Sequence, residues 1–320
     1  MSANLEPQTS NHQRLVLVLV GPTASGKTPI SLLLAQQLGA EIISADSRQI
    51  YKLMDIGTAK VSPEVRQRIK HYFVDALFPD EEIDAAEFAR QGRAVIDEIF
   101  QAMKRPLVVG GSGLYIQALI DGFFEGPAAD DMIRKELEAR AKTEGSAVLL
   151  EELRAFDPTA AVRMHSSHTR RIIRAHEVFR LTGVPISELQ KTRVEINFTP
   201  VIAGLRWDRT KLYQRINKRV DRMLEQGFID EVKRLSEHGY SHECNSLNTV
   251  GYKEALEYLN GNMTYEHAVE LMKQNTRRFA KRQLTWFRAD QRIRWFDVHD
   301  EDEFPHIAQR ICSYYSHFSS

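Results

Sequence analysis

An unbroken apolar run, Leu15 to Val20, predicts a buried strand near the start of the chain. A helix-like run from Ile30 to Leu38 follows, and Gly39 is suited to the left-handed cap position at its end. Glu41 to Ala45 is a short β-like run, and His71 to Leu77 predicts another strand. Asp84 with Glu87 makes a capping-box-like start to a helix that reaches about Lys104. Pro106-Leu107-Val108-Val109 is a short buried strand that ends in Gly110-Gly111-Ser112-Gly113. Strands alternating with helices predict a parallel α/β sheet with its site at the strands' carboxyl ends.

The pattern then changes. From about Phe124 to Glu195 there is helical periodicity without a convincing strand, broken at Gly145, at Asp157-Pro158 and at Gly183-Val184-Pro185. Phe198 to Leu205 restores a β-like run, and long helices are predicted from Thr210, Leu247 and Tyr265. A last strand, Ile293 to Val298, and a terminal helix complete the pattern. This predicts a loose leader over 1–13, an α/β core over 14–123 and 195–320, and an all-helical insertion over 124–194. Insertions over α/β sites often act as lids, by analogy with other folds.

Composition narrows the class. Of the 320 residues, 42% are hydrophobic and 27% charged, an ordinary globular balance. Forty-three basic residues offset forty-three acidic ones, so a nucleic-acid partner would have to be met by a local patch. Two cysteines, Cys244 and Cys312, make no disulfide framework and fit a reducing compartment. The opening residues lack a signal or transit pattern and no apolar run has membrane-spanning length, so the sequence reads as cytoplasmic.

The chemistry begins directly after the first strand. Gly21-Pro22-Thr23-Ala24-Ser25-Gly26-Lys27-Thr28 fits the G-x-x-x-x-G-K-[ST] loop that cradles phosphates between a strand and a helix. Its glycines let backbone N–H groups converge on phosphate oxygens, its lysine adds a cation, and its threonine hydroxyl can hold Mg²⁺. Pro29 is tolerated in a first helical turn, where its missing N–H has no partner anyway. The fold class is therefore α/β: a P-loop-containing parallel-sheet core with an all-helical insertion domain.

Asp46 sits just past a predicted strand's carboxyl end, on the same edge as this loop. It could be a general base, an Mg²⁺ ligand or the N-cap of a short helix. Two segments are locally basic. Arg163, Arg170, Arg171, Arg174 and Arg180 share a stretch whose acid is Glu177, and Arg277, Arg278, Lys281, Arg282 and Arg288 recur at helical spacing around Trp286 and Phe287. Basic residues interleaved with aromatics suit phosphates and stacked bases, although a charge run is more often a solvated face. His238, His242 and Cys244 straddle Gly239 without a second cluster to complete four zinc ligands.

On residues alone a small-molecule or nucleoside kinase fits as well as any other phosphate-binding enzyme. Six blocks decide further: Gly21 to Thr28, Ser44-Ala45-Asp46-Ser47-Arg48-Gln49-Ile50-Tyr51, Met54 to Lys60, Val109 to Tyr115, Val250-Gly251-Tyr252-Lys253 and Lys281 to Arg288. In this order they resemble the tRNA dimethylallyltransferases, over nearly the whole chain. The resemblance implies transfer of a dimethylallyl group from dimethylallyl diphosphate to N6 of the adenosine at tRNA position 37, beside the anticodon, with release of diphosphate. It implies Mg²⁺ at Thr28, diphosphate on Gly21, Pro22, Thr23, Ala24, Ser25, Gly26, Lys27 and Thr28, and catalytic roles for Asp46 as base, Thr23 and the diphosphate-binding Arg219.

The same resemblance puts Asp46, Ser47, Arg48, Gln49 and Ser112 against tRNA. It adds Arg134, Arg170, Arg171 and Arg174 in the insertion, which would grip the anticodon stem. Asn248, Gly251, Tyr252 and Lys253, then Lys281, Arg282, Gln283, Trp286 and Arg288, complete that surface. It implies a monomer and no membrane. Asn248 stands where the family commonly carries Gln or Arg, and Pro29 where it carries a small helix former. Two other readings stay open. A kinase of the same fold would turn over ATP, and a nucleotide-gated RNA-binding switch would lack chemistry; Asn217-Lys218-Arg219-Val220 fails the N-K-x-D base-reading motif at its last position.

Overall fold

β1 (Leu15–Val20) is buried along its whole length in the middle of a six-stranded sheet. The computed structural model describes residues 14–122, 126, 127, 129–192 and 194–318, so the leader expected over 1–13 lies outside the described residues. β1 is flanked by β4 (Arg105–Gly110) and β5 (Thr199–Trp207). A strand enclosed on both edges and both faces has no use for a polar side chain, and Leu15 to Val20 carry none. β2 (Ala40–Ala45) pairs with β4, β3 (His71–Tyr72) with β2, and β6 (Arg294–Val298) with β5, all in parallel.

Parallel neighbours need crossovers, and helices supply them. α1 (Lys27–Leu38) leads from β1 toward β2 and ends at Gly39, whose N–H reaches Ala35 O. α2 (Pro63–Arg68) precedes β3, and α3 (Ala85–Gln101) leads to β4. Asp84 starts α3 by accepting the Glu87 N–H at 2.8 Å, while the Glu87 carboxylate turns to Arg90 and Gln91. α4 (Gly113–Asp121) follows β4. Helices α5 (Asp131–Thr143), α6 (Ser146–Phe156), α7 (Pro158–Val162), α8 (Thr169–Thr182) and α9 (Ile186–Leu189) come next. Between β5 and β6 lie α10 (Arg209–Glu225), α11 (Phe228–Glu237), α12 (Tyr252–Leu259) and α13 (Tyr265–Arg288), and α14 (Phe304–Ser316) follows β6.

One core fills the space between sheet and helices with Leu17, Leu19, Leu34, Leu107, Leu205 and Ile311 among others. Each such side chain contributes about 2 kcal/mol on removal from water. α14 lies along α1, and the Tyr315 hydroxyl donates to Leu15 O at 3.0 Å. A second cluster, which includes Ile50, Tyr51, Val220, Phe228, Leu247 and Tyr252, joins α10, α11 and α12 to the segment after β2.

Contacts divide the described residues into two units: those up to Ile120 with those from Asn197 onward, and Asp121–Ile196. The sequence pattern places the edges of the helical stretch at 124 and 194. The second unit is helical, with a core that includes Leu137, Leu149, Leu153, Ile172, Val178 and Ile186. Asp157, 1% exposed, holds two of its helix starts by accepting from Ala160 N and Ser187 N, both at 2.9 Å.

Three elements differ from the sequence expectation. The strand expected over His71–Leu77 stops at Tyr72, because Phe73 (φ +60°) and Asp75 (φ +55°) turn the backbone left-handed. Lys60, its side chain 3% exposed, pairs with Asp75 and with Asp55 and holds this turn. The long helix expected from Thr210 is two, α10 and α11, parted at Gly227. The helix expected from Leu247 begins at Tyr252, after a turn-rich stretch.

What positions a site is the register. Val20 of β1 lies level with Gly110 of β4 and Gly204 of β5, and Gly110 lies level with Ala45 of β2. The chain therefore leaves the sheet from one row into Gly21, Asp46 and Gly111. Gly110 must approach β2 closely: a Cβ there would stand 2.0 Å from Ala45 O. Gly110→Ala is expected to cost about 3 kcal/mol by overpacking, read as a lowered denaturant midpoint in urea unfolding.

Candidate functional site

The loop after β1 is strained inward. Ala24 takes φ +62° and Gly26 φ +88°, and left-handed residues among ordinary ones turn successive N–H groups to one side, as an anion needs. For Ala24 this costs about 1 kcal/mol, so neighbours must hold it. Arg215 of α10 does so, donating from Nε to Ala24 O at 2.8 Å while its guanidinium lies 4.2 Å from the Trp207 ring centroid and pairs with Glu301. Trp207 donates to Ser25 O at 2.9 Å, and the Phe304 ring closes over Gly26 so tightly that a Cβ would meet it at 2.5 Å.

The opposite side of the loop is tied to the end of β4. Gln283 of α13, 8% exposed, accepts the Thr23 N–H at 2.8 Å and donates to Gly111 O at 2.9 Å. Ser112 joins β4's end to β2's end, accepting from Ser47 N at 3.0 Å and donating to Ser47 Oγ at 3.2 Å, with its own N–H on Ala45 O. Asp46 accepts the Arg48 N–H at 2.9 Å, and Arg48 donates to Asn245 O. Ser44 donates to Gln49, and Gln49 donates to Thr58 O, both at 3.2 Å.

These ends open into one cavity of about 950 Å³. Thr23 to Thr28, Asp46 to Gln49, Arg219, Gly251, Tyr252 and Gln283 all line it. Lys27 donates to Gly21 O at 2.9 Å and to Pro22 O at 2.8 Å, which leaves one of its three N–H bonds for an anion. Burial pulls the Lys27 ammonium down to about 8; Asp46 opposes the shift and Arg219 adds to it. Burial also lowers the Arg219 guanidinium from its ordinary value, again opposed by Asp46. One carboxylate thus sits within electrostatic reach of two cations that water serves poorly. Such a place suits a multiply charged anion beside the carboxylate. The Ser25 hydroxyl, in a residue 1% exposed, is without a hydrogen-bond partner in the same loop.

Other expected residues fall elsewhere. Arg134 and Arg174 both pair with the fully buried Glu177 carboxylate, and Arg174 also donates to Pro127 O at 2.7 Å. Burial pushes Glu177 up, but hydrogen bonds from Arg174, Asp130 N and Arg134 outweigh it and hold the carboxyl below its usual range. Arg170 and Arg171 are exposed on α8 of the second unit. Tyr252, expected against a partner's surface, is instead 1% exposed and donates to Glu231 at 2.7 Å, so it forms cavity wall. Asn248 and Lys253 are exposed. So are Lys281, Arg282, Trp286 and Arg288; Arg278, Lys281, Arg282, Thr285 and Trp286 surround a shallow hollow on the outer face of α13.

Sequence reasoning missed Arg215, Trp207, Phe304 and Glu231. Arg215 lies four residues before Arg219, one helical turn away, and only that spacing hinted at a shared face. The others carry no local signal, since their partners lie far off in sequence.

The chain resembles characterised proteins over nearly its whole length. Residues 49–290 match a family model described as IPP transferase. A tRNA dimethylallyltransferase of Geobacter sulfurreducens is 45% identical over 91% of this chain and 94% of its own. One of Carboxydothermus hydrogenoformans is 47% identical over 88% and 91%. The solved structure of the full-length tRNA isopentenylpyrophosphate transferase of Bacillus halodurans is 41% identical, with a TM-score of 0.71 over 96% of this chain and 98% of that one. A eukaryotic dimethylallyltransferase acting on tRNA is 28% identical, with a TM-score of 0.79 over 93% and 77%.

The cavity's electrostatics predict a pH dependence. Below pH about 8 Lys27 already carries its proton. Above it, binding an anion must also take up a proton, so affinity falls by about tenfold per pH unit until the bound-state pKa is reached. Calorimetric titration with inorganic diphosphate should show this extra slope in the wild-type protein and lack it in Lys27→Met.

Proposed function

The chain belongs to the IPP transferase family, and from that premise we propose how its cavity transfers a dimethylallyl group to tRNA. The donor is dimethylallyl diphosphate and the acceptor is N6 of the adenosine at tRNA position 37, beside the anticodon. The observation that carries this reading is that Asp46, Lys27 and Arg219 line one cavity with the phosphate loop, the carboxylate within electrostatic reach of both cations.

The loop N–H groups, Lys27 and Arg219 bind the diphosphate. Negative charge grows there as the bond from carbon to the bridging oxygen breaks, and both cations favour that charge more than the ground state's. The exocyclic amine is a poor nucleophile. As its nitrogen bonds to the allylic carbon, its proton passes to the Asp46 carboxylate, and the electron pair of the broken bond leaves with diphosphate. The base must leave its stack to reach the cavity, which favours a flipped-out adenine. Thr23, in the loop's first turn, lines the same cavity and is the third residue we assign to the reaction.

A divalent cation fits with limited help from protein. Among the described residues no three Asp, Glu, His or Cys side chains converge, so the chain offers no all-protein cage. Thr28 at the start of α1 would hold the ion, with phosphate oxygens and water completing the shell, a coordination style that suits Mg²⁺. Its chemistry there is neutralisation of charge on the diphosphate.

For tRNA, the exposed Lys281, Arg282, Trp286 and Arg288 on α13, with Asn248 and Lys253, supply charge and a stacking surface close in sequence to the cavity's own residues. Arg170 and Arg171 of the second unit would add phosphate contacts on the anticodon stem, whereas Arg134 and Arg174 serve chiefly to hold Glu177. We read the enzyme as a monomer. Among the described residues no helix is long and apolar enough to cross a membrane.

The test uses purified protein, Mg²⁺, dimethylallyl diphosphate and unmodified tRNA, with the digested tRNA weighed by mass spectrometry. A prenyl increment on the adenosine beside the anticodon is expected, at a rate reduced by about 10² to 10⁴ in Asp46→Ala. An increment undiminished by the mutation would remove Asp46 as the base. No increment, with ATP-dependent phosphate transfer to a small molecule, would replace the transferase by a kinase.

A further inference from the structure

Glu231 of α11 is 4% exposed and belongs to none of the motifs described above. One of its oxygens accepts the N–H groups of Asp55 at 2.9 Å and Ile56 at 2.7 Å. The other accepts the Gly57 N–H at 3.1 Å and the Tyr252 hydroxyl at 2.7 Å. Three successive backbone N–H groups converging on one point form the kind of nest that usually receives a ligand's anion. Here the chain fills it with its own carboxylate. A buried charge of this kind persists only when fully hydrogen-bonded, and these four donors meet that demand.

What the carboxylate holds is the cavity's wall. Ile56, Gly57 and Thr58 line the cavity, and Thr58 O is tied through Gln49 to Ser44 in β2, the strand that leads into Asp46. Tyr252 lines it too, near enough to Arg219 to act on its charge. Burial first, and Glu231 next, raise the Tyr252 hydroxyl well above its ordinary value, so it stays a donor aimed at the carboxylate. Beyond Arg219 the lining is mixed: Arg222 of α10 and Gln226 just past its end reach it, and beside them runs an apolar strip. Val220 and Met223 follow Arg219 along α10 and face the same cavity as Ile56 and Met272. These side chains share one packed cluster with Phe228 and Tyr252, whose rings meet edge-on at 5.0 Å.

We propose that Glu231 is a positioning residue that sets the room available to the donor's hydrocarbon tail, by fixing the 55–57 segment and the Tyr252 ring at a single point. The inference rests on the transferase reading above. An apolar wall discriminates against an oversized tail only if it cannot retreat, and a wall of loop backbone on one side needs such an anchor.

Glu231→Gln tests it with little change of shape. The amide oxygen can keep the Asp55 and Ile56 N–H groups. The amide nitrogen then faces the Gly57 N–H, which loses its acceptor, and the Tyr252 hydroxyl must reverse to accept. Rates with dimethylallyl diphosphate and with geranyl diphosphate, one isoprene unit longer, are measured on the same tRNA together with Tm. The expected result is a roughly tenfold loss of selectivity for the shorter donor, carried by KM for the donor with kcat nearly kept. Tyr252→Phe, which deletes one of the four bonds, should move selectivity the same way by a smaller factor. A lowered Tm with unchanged selectivity in both variants would leave Glu231 a structural residue only and overturn the proposal. If Glu231→Gln does not fold, unchanged selectivity in Tyr252→Phe overturns it alone. Wild-type protein that prenylates no tRNA would instead remove the reading beneath it.

Discussion

Parallel strands that end in one row give three loops a common starting line, and the chemistry of this chain depends on that coincidence. Val20, Ala45, Gly110 and Gly204 are neighbours across the sheet. A slip of one residue in any pairing would send a strand's next side chain to the other face, and Asp46 would no longer stand beside the phosphate loop. The register is enforced by chemistry that has nothing polar in it. Leu15 to Val20 fill both faces of the central strand, and the lack of a side chain at Gly110 lets β4 lie against Ala45. A core built for stability therefore sets reactive groups from distant parts of the chain within reach of each other, while local bonds such as those of Lys27 to Gly21 O and of Asp46 to the Arg48 N–H orient each one.

The site spends stability to gain charge. Lys27 and Arg219 are both cations drawn out of water, and burial is the largest influence on each. Asp46 alone cannot satisfy two of them, so the arrangement has a surplus of positive charge that a diphosphate can neutralise. Such preorganisation works only if the loop cannot relax. Arg215, Trp207 and Phe304 brace its outer side with a hydrogen bond to Ala24 O, another to Ser25 O, and a ring over Gly26, while Gln283 pins its first turn. The left-handed Ala24 is the visible strain that this bracing contains.

Much of this is legible in the sequence alone. The phosphate loop, the strand ends at Ala45 and Val109–Gly110, and the helix starts at Asp84 and Tyr265 follow from short-range patterns, because a strand's apolar run and a helix's cap are written within a few residues. Asp46 and Lys27 could be paired in advance because a parallel sheet puts strand ends on one edge. The bracing residues could not. Gln283 lies 260 positions from Thr23, and Arg215 lies 191 from Ala24. The false strand after Tyr72 has the same origin: His71–Leu77 reads as β-like, but the turn at Phe73 and Asp75 is imposed by Lys60 and Arg66, which no local pattern reveals. Glu177 stands three residues from Arg174 and is visible as the acid of that stretch, though its burial is not, whereas nothing near Tyr252 betrays the buried Glu231, 21 positions away, that claims it.

α13 joins the inner and outer halves of the argument. One stripe, with Ala280, Gln283 and Phe287, is buried, and from it Gln283 holds both the phosphate loop and Gly111. The other stripe, Arg278, Lys281, Arg282 and Thr285, faces outward with Trp286 partly exposed beside it, and Trp286 also covers Gly113 at the head of α4. In a helix of 24 residues these stripes cannot move independently, because each outward residue is within a turn of a buried one. A nucleic acid seated on the outer stripe, as proposed, would therefore lie at a fixed distance from the phosphate loop. Charge on the outer stripe can govern affinity without entering the cavity, and the amide at Gln283 can govern loop geometry without touching nucleic acid. That division explains why one short run of sequence, Lys281 to Arg288, carries residues of such different exposure: the period of the helix, not the order of the motif, assigns each its task.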